Sequence, residues 1–239
     1  MTSDFAEVWR DVANIDGWLT EGQARLLHSN AATVAEGQAI VEIGSHHGRS
    51  TVVMATAKPD GIRLIAIDPY DDPRWGGGAP ALDIFNDNLE RRGLSADVEH
   101  LRAFGAEAGR TWHEQPVGML FVDGAHDYPT VRADLEAWLT KLSPEAVVLM
   151  HDAYSSPGVT RAMFAAFFGS AEFAFVDAQR TLVAFRRGRL DTGGRVRSSL
   201  RMLGRLPWFA RNLTIKLAIA RGWRSVPPIL GHRQATFPY

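Results

Sequence analysis

The sequence predicts an α/β fold, a doubly wound parallel sheet covered by helices on both faces, and three observations carry that expectation. Five short runs rich in branched apolar residues alternate with longer amphipathic stretches over the first 150 residues, the pattern of successive β-α-β units. Two further strand-like runs follow with only four residues between them, too few for a crossover helix. The chain is 239 residues long and 46% hydrophobic, enough to bury both faces of such a sheet.

Two helical segments, near residues 4–14 and 20–34, precede the first strand. The strand-like runs are Ala39–Ile43, Ile62–Ile67, Asp97–Leu101, Val117–Val122 and Ala146–Met150. Between them Arg49–Ala57, Ala81–Arg92, Ala106–His113 and Pro129–Leu142 read as helices, with Ser50 suited to starting the first and Pro129 to the first turn of the last. Helix-like Val159–Phe168 leads into Glu172–Val176 and Thr181–Arg186, joined through Asp177–Arg180 as a hairpin, so the sheet ends with an antiparallel pair. The segment Asp71–Ala81 holds three consecutive glycines and two prolines after a strand end. It reads as a loop at the rim of the sheet, with Trp75 as a ring that can cover a ligand. From Gly193 to Trp223, apolar residues recur every three or four positions with arginines between, predicting one or two amphipathic helices interrupted at Pro207.

Charge divides the chain at Gly188. Residues 1–187 carry 16 basic and 26 acidic side chains, whereas residues 188–239 carry 10 basic and one acidic, Asp191. The division predicts a main domain over 1–187 and a basic amphipathic helical extension over 188–239. Zero cysteines exclude a disulfide framework, a thiolate metal site and a cysteine nucleophile. No run of eighteen apolar residues occurs, and the acidic N-terminus lacks the basic and apolar regions of a secretory signal. A cytoplasmic protein is expected.

The strongest local motif is Val41–Thr51, VEIGSHHGRST. A strand that enters a glycine-bearing turn and then a helix brings backbone N–H groups close to a ligand. The glycines stand as G-x-x-x-G, Gly44 and Gly48, so the pyrophosphate fingerprint of a nicotinamide or flavin enzyme is missing. Asp68 ends the next strand, where a carboxylate can accept from two ribose hydroxyls. Asp123 ends the fourth strand-like run, and His151-Asp152 the fifth. In an open α/β sheet these strand ends share one crevice, and carboxylates crowded there call for a cation between them.

Together, VEIGSHHGRST, IDPY, LFVDGAHDYPTVRADLEAW and VVLMHDAY resemble the class I S-adenosylmethionine-dependent methyltransferases. The likeness is to the branch holding macrolide-sugar and actinobacterial carbohydrate O-methyltransferases and cephalosporin-hydroxylase-like proteins. It covers about residues 17–187, and D-G-x-H-x-Y-x-x-V-x-x-D-L from Asp123 to Leu135 is its most specific motif. The resemblance implies a Rossmann-like seven-stranded sheet of order 3-2-1-4-5-7-6, its last strand antiparallel, flanked by N-terminal helices and a C-terminal helical extension.

The resemblance further implies that Glu42 through Thr51 wrap the methionine part of the cofactor. Gly44 and Gly48 would permit close approach, while Ser45, Ser50 and Thr51 would offer donors to its carboxylate, and Asp68 would hold the ribose. The adenine region reads Ala103–Glu107 in place of the usual small polar segment, leaving backbone or ring packing for that contact. In metal-dependent relatives the ends of strands four and five bind a divalent ion. Here those positions are Asp123, His151 and Asp152, with His126 three residues after the first. The expected ion is magnesium, or manganese, because magnesium prefers oxygen ligands and the nitrogen at His151 departs from the carboxylate usual in those relatives.

The expected reaction is transfer of a methyl group to a hydroxyl of a sugar or oligosaccharide, assisted by the ion, with His126 as general base and Asp123 and His151 beside it. Two alternatives stand: a small phenolic or antibiotic-intermediate acceptor, with Tyr70, Trp75 and Tyr154 as stacking faces, or a non-catalytic cofactor-binding protein. The basic extension is expected to pack on the acidic body or a second subunit in a homo-oligomer (a dimer), or to lie on an anionic membrane. The acidic body opposes nucleic-acid binding.

Overall fold

The computed structural model of the chain describes residues 4–70, 79–233 and 237–238. Helices α1 (Phe5–Val12) and α2 (Glu21–Ala31) lead into β1 (Ala39–Ile43), α3 (Arg49–Ala57), β2 (Arg63–Ile67), α4 (Ala79–Glu90) and β3 (Val98–Leu101). Then come α5 (Gly105–Thr111), β4 (Val117–Val122), α6 (Tyr128–Trp138), β5 (Leu142–Met150), α7 (Pro157–Phe167), β6 (Phe173–Gln179) and β7 (Leu182–Arg187). The extension forms α8 (Thr192–Leu203), α9 (Leu206–Ala220) and α10 (Val226–Ile229).

The seven strands form one sheet of order β3-β2-β1-β4-β5-β7-β6, parallel except for β7, which runs antiparallel to β5 and β6. This is the order implied by the resemblance. Side chains alternate between two cores because successive residues of a strand face opposite ways. Ile40, Leu64, Phe121 and Leu149 meet α1–α4, whereas Val41, Ile65, Val122 and Met150 meet α5–α7. In the second core Trp138 is fully buried and its indole N–H donates to the Gly105 carbonyl at 2.8 Å. Truncating such a side chain costs about 3–5 kcal/mol.

Several boundaries differ from the sequence expectation, each for a local reason. Helix α6 ends at Trp138 and a 3-10 turn over Leu139–Lys141 follows, so Leu142 already belongs to β5. Pro144 is accommodated because Val117 pairs with Leu142 while Met119 pairs with Val147, and Glu145 takes φ 63° within that bulge. A second irregularity, between Phe175 and Asp177, carries β6 through to Gln179. The hairpin turn is therefore Arg180–Thr181, tighter than the four residues expected, with Arg180 at φ 55°. Ala79–Ala81, expected in the rim loop, open α4. Residues 71–78 of that loop, Trp75 with them, lie outside the described residues.

Pro207 does not interrupt a helix. The break falls at Gly204-Arg205, and Pro207 sits in the first turn of α9, where its missing N–H removes no hydrogen bond. Helix α8 lies against the end of the sheet: Ser198 Oγ accepts from the Phe175 N–H at 2.9 Å, and Met202 is fully buried. Helix α9 buries Asn212, Ile215 and Ala218.

Candidate functional site

Strand register places the site. Ile43 pairs with Ile67 on one side and Val122 on the other, and Val122 pairs with Met150. The ladder runs one residue further, through Gly44 N to Ile67 O (2.8 Å), Asp123 N to Ile43 O (2.8 Å) and His151 N to Val122 O (3.0 Å). Asp68 is joined likewise, its N–H donating to Leu101 O at 3.2 Å. Asp68, Gly44, Asp123 and His151 thus stand in one row across the carboxyl ends of β2, β1, β4 and β5.

The row borders a cavity of about 790 Å³. One part is walled by the β1–α3 turn, Asp68, Phe104 and Gly105, another by Asp123, His126, His151 and Asp152, and Trp18, Lys216, Phe237 and Pro238 also line it. Non-glycine residues with positive φ cluster around it: His46 (46°), Tyr70 (52°), Asp152 (54°) and Tyr154 (58°). Such conformations cost about 1–3 kcal/mol each and gather where a surrounding structure fixes a site.

The β1–α3 turn shows what the motif is for. Gly44 takes φ 90°, and a Cβ there would strike the Asp123 carbonyl, so its glycine is demanded by the packing of β1 on β4 as well as by its dihedral. Gly48, at φ 84°, caps α3 in the left-handed region, and a Cβ would lie 3.0 Å from the Phe85 ring. His46 and His47 stack with ring centres 3.7 Å apart, and Trp18 leans on His46 at 5.4 Å. Burial lowers the pKa of both histidines, and His47 pushes that of His46 the same way.

Not every residue implied by the resemblance faces the cavity. Gly44, Ser45, Ser50 and Asp68 line it; Gly48 sits at the turn, while Glu42 and Thr51 do not line it. Glu42 is fully buried beneath the turn and accepts hydrogen bonds from the hydroxyls of Ser50 and Thr51. Burial pushes its carboxyl up to about 7 against the pull of those bonds. The two hydroxyls are engaged inward rather than offered to a ligand, and Ser50 does not cap α3. Asp68 Oδ2 accepts from the Ser45 and His46 N–H groups at 3.0 Å each, and Oδ1 from Tyr70 N–H at 2.9 Å. One acceptor direction remains on Oδ1 for a ligand hydroxyl.

At the other end, His151 is buried with Nδ1 2.9 Å from Asp123 Oδ1 and 3.8 Å from Asp152 Oδ2. Burial alone would lower its pKa, but Asp123 by charge and hydrogen bond, then Asp152, push it up to about 9. His126 Nε2 lies 3.1 Å from Asp152 Oδ2. Burial opposes its charge, yet the Asp152 hydrogen bond and the two carboxylates raise its pKa. Burial would lift Asp152, but His126 and His151 hold its carboxyl well below the usual range.

The donor atoms of Asp123, His126 and Asp152 all lie within 4.8 Å of one another. That set differs from the expected Asp123, His151 and Asp152. The structure sets His151 Nδ1 against Asp123 Oδ1, behind the carboxylates. His126 enters the set in its place. Two carboxylates and one imidazole fit a divalent ion, manganese better than magnesium.

The aromatic expectation also shifts. The Tyr70 hydroxyl donates to His46 O at 2.8 Å while Tyr70 lines the cavity, and the buried Tyr154, which does not line it, donates to Met202 O at 2.9 Å. Among the described residues, Trp18 (55% exposed), Phe104 (50%) and Phe237 (50%) are exposed rings at the cavity. Asp134, which burial pushes up to about 7, also lines it, accepting from the Ala106 backbone. The sequence signal for Phe104 was the departure at Ala103–Glu107. For Lys216, Phe237 and Pro238 there was none, since the extension meets the cavity only through tertiary packing.

Residues 41–153 match the family described as "Methyltransferase domain". An uncharacterized protein, y4gI, of Sinorhizobium fredii is 33% identical over 119 residues, 47% of this chain but only 13% of that protein's length. The O-methyltransferase from Bacillus cereus, solved with SAH, superposes with TM-score 0.59 at 19% identity, covering 78% of this chain and 92% of that one. The O-methyltransferase TomG from Streptomyces achromogenes, involved in tomaymycin synthesis and solved with SAM, gives TM-score 0.59 at 21% identity over 78% and 88%. These structural likenesses establish the fold. The segment from Val41 to Ala153, a little under half of the chain, is similar to the methyltransferase domain family, and the chain has the fold of these O-methyltransferase structures.

Proposed function

We propose that the protein is an S-adenosylmethionine-dependent O-methyltransferase acting on a hydroxyl of a sugar or oligosaccharide. One observation carries the reading: Asp68 at one end of the strand-end row and the Asp123, His126, Asp152 group at the other border a single cavity. The distance along the row separates a cofactor end from an acceptor end.

At the cofactor end, the Ser45 N–H and the α3 N-terminus would meet the methionine carboxylate, Asp68 the ribose, and Phe104 with Gly105 the adenine. Glu42, Ser50 and Thr51 would act from beneath, holding the turn in shape. At the acceptor end, the hydroxyl would lie in line with the sulfonium methyl, about 3 Å away. As the oxygen–methyl bond forms and the sulfur–methyl bond breaks, neutral His126 would take the hydroxyl proton, oriented by Asp152, leaving the thioether and the methyl ether. General-base help of this kind contributes roughly 10²–10⁴-fold. Asp123 and Asp152 would hold a divalent ion, which when bound lowers the pKa of the acceptor oxygen as a Lewis acid. Nε2 of His126 cannot carry a proton and an ion at once, so the base role requires the ion to rest on the two carboxylates. His151, whose pKa the two carboxylates raise, would offset their charge and let them stand together.

The test is mass spectrometry of products after incubation with methyl-labelled cofactor, mono- and oligosaccharides or small phenols, and manganese, magnesium or chelator. A sugar ether carrying the label is the expected product. A labelled phenol ether instead would move the acceptor class. Cofactor binding with no methylated product from any of them would make this a binding protein.

A further inference from the structure

We infer that the C-terminal extension docks the protein on an anionic lipid surface. Helix α8 turns Ser198 and Met202 inward and leaves Val196, Leu200 and Leu203, at i, i+4 and i+7, exposed on its other side. Helix α9 does the same, burying Asn212, Ile215 and Ala218 while Leu217 is exposed. Beyond it Trp223 is 50% and Ile229 82% exposed. Single exposed apolar residues are ordinary, but a succession of them along one segment marks an interaction surface. Arg197, Arg221 and Arg224 are exposed in the same segment, which holds 10 basic residues against one acidic from Gly188 onward.

Charge decides between occupants. A second copy pairing through the same face would bring two strongly basic segments together, because such a contact buries the same patch on both subunits. Pairing the extension with another copy's acidic body is a head-to-tail contact, which forms open chains unless the rotation closes. A membrane surface meets both demands at once: anionic headgroups face the arginines while the acyl boundary takes the leucines, Trp223 and Ile229. Helix α9 then joins surface and site, since Lys216 lines the cavity and the next residue, Leu217, is exposed. Docking would hold the cavity beside the lipid, suiting an acceptor anchored there. That consequence rests on the proposed function; the docking itself does not.

Flotation of the full chain with vesicles tests it. Protein should float with phosphatidylcholine vesicles containing phosphatidylglycerol, remain below with phosphatidylcholine alone, and be released when salt rises from about 0.1 to about 0.5 M. R197E/R224E, and separately L200S/I229S, should each lower the bound fraction about tenfold or more with an unchanged circular dichroism spectrum. No flotation with the anionic vesicles overturns the inference, as does equal flotation with neutral ones or by both variants. Lipid-free self-association abolished by L200S/I229S would also overturn it, in favour of a second copy. A protein that floats yet methylates nothing keeps the docking and loses only the enzymatic reading.

Discussion

His151 Nδ1 lies 2.9 Å from Asp123 Oδ1, pairing a buried imidazole with a partly buried carboxylate at the first residues beyond two adjacent parallel strands. Its position makes that end of the cavity partly self-neutralising, because Asp123 and Asp152 both raise the pKa of the same imidazole. Removing His151 leaves the partly buried Asp123 carboxylate without this partner. His151→Asn is expected to lower unfolding free energy by about 1–3 kcal/mol, measured by urea denaturation at pH 7. A loss well below about 1 kcal/mol would show that the pair contributes no more than one on the surface.

Glu42 sets a pH dependence of stability. Its folded pKa, about 7, stands above the ordinary 4.5, so the unfolded chain releases its proton first as pH rises. Glu42 contributes stability fully present below about pH 4.5 and lost as pH climbs through about 7. Urea denaturation from pH 4.5 to 8 should show a decline of up to about 3 kcal/mol attributable to this residue. Glu42→Gln, which cannot ionise, should flatten that part of the profile; an unchanged slope would remove Glu42 as its source.

Gly44 and Gly48 separate packing from dihedral strain. Gly44→Ala must displace the Asp123 backbone and is expected to cost about 2–4 kcal/mol and to weaken cofactor binding. Gly48→Ala meets the edge of Phe85, which can yield, and should cost about 1–3 kcal/mol. Thermal unfolding and calorimetric titration with S-adenosylhomocysteine would read both. Equal effects would argue that the β1–β4 approach is looser than described.

His126→Ala tests the proposed base. Turnover should fall about 10²–10⁴-fold while the dissociation constant of S-adenosylhomocysteine stays unchanged, because His126 belongs to the acceptor end. Near-normal turnover would leave the base role without support.

Asn212 ties the extension to the loop after Asp152, donating from Nδ2 to the Tyr154 carbonyl at 2.9 Å, while Ser155 Oγ donates to Pro238 O at 2.8 Å. Asn212→Ala leaves the Tyr154 carbonyl without that partner and should cost about 1–3 kcal/mol. Turnover should drop with little change in cofactor affinity. A loss of cofactor binding alone would place the extension's influence at the wrong end of the cavity.

How much was legible in the sequence varies with the range of the interactions. Ala39–Ile43 and Val117–Val122 are strands with the boundaries their apolar runs predict, because a strand buried on both faces is written locally as an unbroken branched run. Gly44 and Gly48 were legible as a turn for the same reason, although the cause at Gly44 includes the neighbouring strand. The β5 start and the Arg180–Thr181 turn were not, since pairing partners decided them through two bulges.

The sequence by itself determined the strand-helix alternation, the hairpin that reverses the final strand, and which acidic residues end strands, because periodicity and turn chemistry act over a few residues. Only the tertiary structure decided that His151 faces Asp123 and that His126 joins the donor group, that Glu42 turns inward, and that Lys216 reaches the cavity. Charge state and side-chain direction depend on burial and on partners distant in sequence, and those exist only once the sheet is assembled.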